Sequence, residues 1–119
     1  MAKPLTTLVE EMLAGNADGT EELRIYEFED DTSAHDDELI DRLYQEFSAE
    51  LDRVQSALSK KYGEPVRRGT EDDETIPLNG VFRFAVWNID GTELYVAAAH
   101  EDRGVPILLM IGIDSGNGA

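Results

Sequence analysis

Four stretches of the chain carry side chains that could do chemistry. The densest is His100-Glu101-Asp102-Arg103, a histidine beside two carboxylates and a guanidinium. Such a group could move protons or hold a metal ion, because imidazole titrates near neutrality and carboxylates supply oxygen ligands. The plainer reading is a solvated turn with His100 ending a strand, since a site also needs groups converging from elsewhere and the sequence offers no second motif. His35-Asp36-Asp37-Glu38 invites the same metal reading, against which stands a helix start enriched in acids. Asn16-Ala17-Asp18-Gly19-Thr20 has the flavour of a calcium loop but lacks glycine at the sixth position, and the remaining ligand spacing fails. Glu71-Asp72-Asp73-Glu74 is either a solvated acidic loop or a docking site for a basic partner.

Nucleophilic chemistry finds little material. The serines are Ser33, Ser48, Ser56, Ser59 and Ser115, three of them inside a predicted helix and one in the tail. There is no cysteine and there are 2 histidines. No G-x-S-x-G, phosphate-binding glycine loop, H-E-x-x-H or dinucleotide fingerprint occurs. The sequence therefore calls for no catalytic residue, no cofactor and no metal, although a carboxylate-only enzyme stays compatible with it.

The elements that would position these groups are clearer. Residues 5–14, LTTLVEEMLA, place Leu5, Leu8, Val9, Met12 and Leu13 on one helical stripe, with Pro4 before it and Gly15 after it. A short strand is predicted over about Leu23 to Glu29. From His35 to Tyr62, Ile40, Leu43, Tyr44, Phe47, Leu51, Val54, Leu58 and Tyr62 recur at three- and four-residue steps, the mark of a long amphipathic helix. Ser33 is the expected N-cap, and Gly63 follows Lys60 and Lys61 at the other end. At ~1.5 Å per residue this helix is roughly 40 Å long, so an overhang beyond a narrow sheet is expected. Residues 66–79 read as a mobile acidic loop and residues 114–119 as a flexible tail.

Leu78 to Ile113 is the core of the fold. Asp90-Gly91 sits between VFRFAVWNI and TELYVAAAH and predicts a two-residue hairpin whose central residues take positive φ. That turn sets Trp87 opposite Leu94, Ala85 opposite Val96, Val81 opposite His100 and Phe82 opposite Ala99. A four-residue turn at 101–104 would set Ile107 opposite Ala98. One sheet face then carries Val81, Ala85, Trp87, Leu94, Val96, Ala98, Ile107, Leu109 and Ile111, with Arg83 as the exception. The other carries Phe82, Phe84, Val86, Tyr95, Ala97, Ala99, Leu108 and Met110. Both are apolar, so both must be covered, and only one long helix is on offer. The helix is assigned to the Trp87 face. Phe82, Phe84, Tyr95, Leu108 and Met110 become the candidate interface, because aromatic residues and Met are enriched at such surfaces. On that basis Phe84→Asp is expected to break a dimer and leave a folded monomer; outright unfolding would put Phe84 in the monomer core.

Composition bounds the function. The chain has 119 residues, enough for a single domain, and a formal net charge of −16. Residues 1–35 hold −7 of that charge, which makes the N-terminal third the acidic pole. Such a surface disfavours phosphate backbones and anionic membranes and favours basic protein partners. The lack of cysteine, of an apolar leader and of any run of transmembrane length fits a cytoplasmic protein. The expectation is a single α+β domain: a short N-terminal helix, one strand, and one long amphipathic helix packed on a three- to four-stranded antiparallel meander. Its expected role is a non-enzymatic, bacterial-type protein–protein interaction module and homodimer with a basic protein partner. Immunity proteins, antitoxins and secretion chaperones share its size and acidity. The alternative is a ligand binder or small enzyme using the His100–Arg103 turn.

Overall fold

In the computed structural model, which describes residues 5–15, 19–28, 35–102 and 105–114, the chain runs helix, strand, helix and four strands. These are α1 (Leu5–Gly15), β1 (Gly19–Tyr26), α2 (Asp37–Tyr62), β2 (Arg67–Gly69), β3 (Val81–Ile89), β4 (Thr92–Ala99) and β5 (Ile107–Asp114). The strands form a five-stranded sheet in the order β1-β5-β4-β3-β2, with every neighbouring pair antiparallel. The α+β class and element order are as expected, but the sheet has five strands rather than three or four. The strand not expected is β2, inside the stretch read as a loop; β1, the strand expected before the long helix, joins the far edge beside β5. That strand also begins and ends earlier than the predicted Leu23 to Glu29.

The hairpin turn has the required geometry, with φ of 52° at Asp90 and 88° at Gly91. Asn88 Oδ1 accepts from the Gly91 N–H at 3.1 Å and ties the turn down. Ile89–Thr92, Trp87–Leu94, Ala85–Val96 and Arg83–Ala98 pair as the turn dictates. Further along, a bulge between Val81 and Arg83 breaks the register, and Val81 faces Ala99 instead of His100. An extra residue in one strand turns the side chains beyond it over. Val81 therefore joins the back face and Phe82 turns to the front, where its ring stacks on Tyr44 at 4.4 Å between centroids. Between β4 and β5, Ala98 faces Leu109 rather than Ile107. That shift of two positions leaves every side chain on its expected face.

The front face is covered by helices. Phe47, Leu51 and Leu58 of α2 and Val9 of α1 are fully buried against Trp87, Leu94, Val96, Leu109 and Ile111. Each such Leu or Phe stabilises the fold by roughly 2–3 kcal/mol. The helix starts at Asp37, capped by Asp36, whose Oδ1 accepts from the Leu39 N–H at 3.1 Å. Ser33, the cap expected from sequence, lies outside the described residues. At the other end Gly63 takes φ of 84° and donates its N–H to the Ser59 carbonyl. The Trp87 indole Nε1 donates to the Gly63 carbonyl at 2.8 Å, so the C-terminal end of α2 is anchored on the sheet rather than overhanging it.

The back face is covered in part by the chain itself. Residues 72–80, called the strap here, cross over β3 and β4 and lay Ile76 and Leu78 on Val81, Phe84, Val86, Tyr95, Ala97 and Ala99. Its far end is held where His100 N–H donates to the Gly80 carbonyl at 3.0 Å. Gly80 has φ of 72°, and a Cβ there would collide with the His100 backbone, so the close crossing depends on glycine. Two aromatic rings lie across glycines on this face: Phe84 over Gly69 and Tyr95 over Gly112, each pair directly opposed in the ladder. A ring covering a cross-strand glycine restores the packing that the missing side chain leaves out.

Candidate docking surface

Among the described residues of the His100 turn, the histidine and the two acids point different ways. His100 is 8% exposed and points inward, its Nδ1 hydrogen-bonded with the Tyr44 hydroxyl at 2.7 Å. Its ring stacks on Phe28 at 5.6 Å and meets the Tyr44 ring edge-on. Glu101 and Asp102 are exposed at the turn, and Arg103 lies outside the described residues. Arg83, the cation that could have joined them, pairs with Asp52 of α2. His100 thus acts as a wedge between α2 and the sheet. His35 is exposed at the start of α2. Among the described residues no group of three or more His, Asp or Glu is placed to hold a metal ion.

The acidic run 71–74 has a structural task. Asp73 takes a two-pronged contact from Arg67, Nε to Oδ2 and Nη2 to Oδ1, both at 3.1 Å. The same guanidinium reaches Glu93 Oε2 at 2.9 Å and Thr75 Oγ1 at 2.9 Å, and Thr75 donates to Glu93 Oε1 at 2.7 Å. Hydrogen bonding from Arg67 is the main cause that holds the carboxyls of Asp73 and Glu93 below their usual range, with Thr75 contributing to both. The Arg67 guanidinium is in turn held more firmly protonated by the two acids. Asp72 Oδ1 accepts from the Val81 N–H at 2.9 Å, and with this bond the stretch read as a mobile loop is tied to the sheet at both ends.

The five residues expected at an interface have separate fates. Phe84 and Tyr95 are 6% and 1% exposed beneath the strap, which corrects their assignment to a partner surface: the chain covers them itself. Phe82 is corrected in face, turned by the bulge onto α2. Leu108 and Met110 remain on the back face, half-exposed on β5. Ladder partners share a face, so Ile25 stands beside Leu108, and Glu22 beside Met110. Ile25 is 41% exposed. The strap stops short of this half of the sheet, and two clefts lie along its border, one toward each end. One is a cleft of about 350 Å³ lined by Thr20, Thr75, Pro77, Tyr95, Ile113 and Asp114 among others. The other is a cleft of about 120 Å³ between Pro77, Leu78 and Asn79 on the strap and Leu108, Pro106 and Glu101. Pro77 lines both.

Sequence reasoning missed Ile25 and Glu22 here, because their place depends on which strand β1 joins. It also missed the strap, although Ile76-Pro77-Leu78 in an otherwise polar run was a usable signal.

Among the described residues no helix is long and apolar enough to cross a membrane. No protein-family model, curated protein or solved structure matches the chain.

Proposed function

We propose that this chain is a non-enzymatic protein-binding module that engages a basic partner through the open half of its back face. The observation that carries the reading is the apolar strip of Ile25, 41% exposed, with half-buried Leu108 and Met110, beside a part of the face that the strap covers. Apolar side chains grouped at the surface and rimmed by polar residues mark interaction sites. The rim here is acidic, with Glu22 on the strip and Asp114 and Glu101 each lining one of the two clefts. A net charge of −16 steers basic partners toward it and opposes a homodimer through the same strip. The inward-turned His100 supports the same reading, since its ring is engaged with Tyr44 and Phe28 rather than presented to a ligand.

The test is site-specific photo-crosslinking in an extract of the source cells. A crosslinker at Leu108 is expected to yield a discrete adduct with a basic protein, weakened by salt and lost in Ile25→Asp. The same group at Ser56, exposed on α2, is expected not to yield it. Identical adducts from both positions, or none from Leu108, would remove the surface from consideration.

A further inference from the structure

We infer that the open half of the back face seats a cationic amphipathic helix supplied by the partner protein. This rests on the binding-module reading above and adds the shape and charge of what binds.

The width of the opening argues for a helix. The strap lies over β3 and β4. Strands are ~4.8 Å apart, so β5 and β1 together leave a floor about 10 Å across, close to the ~10–12 Å diameter of a helix. Its back-face side chains are Met110 and Leu108 of β5 and Ile25 and Glu22 of β1, while Ala97 and Ala99 of β4 are already buried beneath the strap. Pro77 and Leu78 form the wall on the strap side. A ridge of side chains fits such a trough.

Backbone hydrogen bonding argues the same way. An extended segment laid on a sheet face has N–H and C=O groups with no ladder to join. The strap meets that need through turn contacts such as the Thr75 N–H donating to Asp73 Oδ1 and the Ile76 N–H donating to the Asp73 carbonyl. A helix satisfies its own backbone and needs only an apolar stripe. β5 has 8 residues, so at ~3.3 Å each the seat is about 26 Å long, the length of a helix of about 17 residues.

Charge sets the flanks of that helix. Glu22 stands on the floor beside Met110, while Asp114 and Glu101 line the clefts toward its two ends. A helix with lysine or arginine beside its apolar stripe meets one carboxylate on the floor and one toward each end. A second copy of this chain would bring the same acids face to face. After β1 comes Phe28, whose ring is stacked on His100, and the sequences that follow Phe28 and β5, EDDTSA and SGNGA, contain no large apolar residue.

Synthetic peptides of the stated length test the inference by fluorescence anisotropy against the full chain. They are a leucine/lysine amphipathic helix, its scrambled isomer of identical composition, and a leucine/glutamate counterpart. The amphipathic cationic peptide is expected to bind at least about tenfold more tightly than either control. Met110→Lys and Glu22→Lys, checked for folding by circular dichroism, are each expected to weaken it by about tenfold. Asp41→Lys, an equal charge change on the outer side of α2, is expected to leave it within about twofold. Equal binding of the scrambled peptide, or equal loss in Asp41→Lys, would overturn the inference in favour of bulk charge. A dimer on light scattering that Met110→Lys abolishes would overturn it in favour of a second copy. If no peptide binds while Leu108 still crosslinks a basic protein, the helix falls and the binding module stands; if neither occurs, both fall.

Discussion

A single backbone bulge decides the fate of two aromatic residues. In unbroken alternation Phe82 and Phe84 share a face; the bulge after Val81 sends Phe82 to Tyr44 and leaves Phe84 beneath the strap. Phe84→Asp is now expected to unfold the monomer rather than release it from a dimer. Losing a buried phenylalanine costs about 3–5 kcal/mol, and an unpaired carboxylate under Ile76 adds to that. Typical domains have only ~5–15 kcal/mol in hand. Urea titration followed by circular dichroism checks it, with half-exposed Met110→Asp as a variant expected to stay folded. A wild-type midpoint for Phe84→Asp would mean that the strap does not cover the ring. Residue types were legible from sequence down to this level, but a bulge leaves no local signature, so facing was legible only up to the point where the ladder slips.

At the scale of elements, turns with dedicated chemistry were readable and long-range placements were not. Asp90-Gly91 fixed its hairpin register because both conformations are local properties of those two residues. The long helix was readable from its stripe. The position of β1 beside β5 was not, since nothing in GTEELRIY names its neighbour. The strap was misread because charge masked its two core residues. Its latch makes a titration prediction. Asp73 and Glu93 have folded-state pKa values below their unfolded ones, so their contribution is present above about pH 4 and is lost as pH falls through the folded values. Arg67→Ala is expected to remove that acid-sensitive increment and to cost about 1 kcal/mol at neutral pH, a modest figure because the guanidinium is partly exposed. Urea midpoints of both proteins between about pH 3 and 7 should converge at the acid end. Midpoints that stay parallel across that range would mean that the latch is not electrostatic.

For the whole molecule, charge is the dominant surface property. With 26 acids against 10 bases, repulsion among like charges outweighs exposed pairs such as Arg42–Glu46, which contribute little. The thermal midpoint is expected to rise as salt goes from ~0.1 to ~1 M and the screening length falls from ~10 to ~3 Å. A falling midpoint would mean that attractive pairs govern stability instead. The net charge and its uneven spread were fully legible in the composition. The strip it surrounds was not, because that strip is made of β1 and β5, strands from opposite ends of the chain. This pairing has a consequence in time. The β3–β4 hairpin closes through a two-residue turn, whereas β1 must wait for β5 across nearly the whole chain, and closures of that kind come late in folding. Leu108 and Met110 acquire their neighbours Ile25 and Glu22 only when the last strand docks. The proposed docking surface is therefore expected to be the final part of the molecule to be completed, and a partner that bound it would select finished chains over partly folded ones.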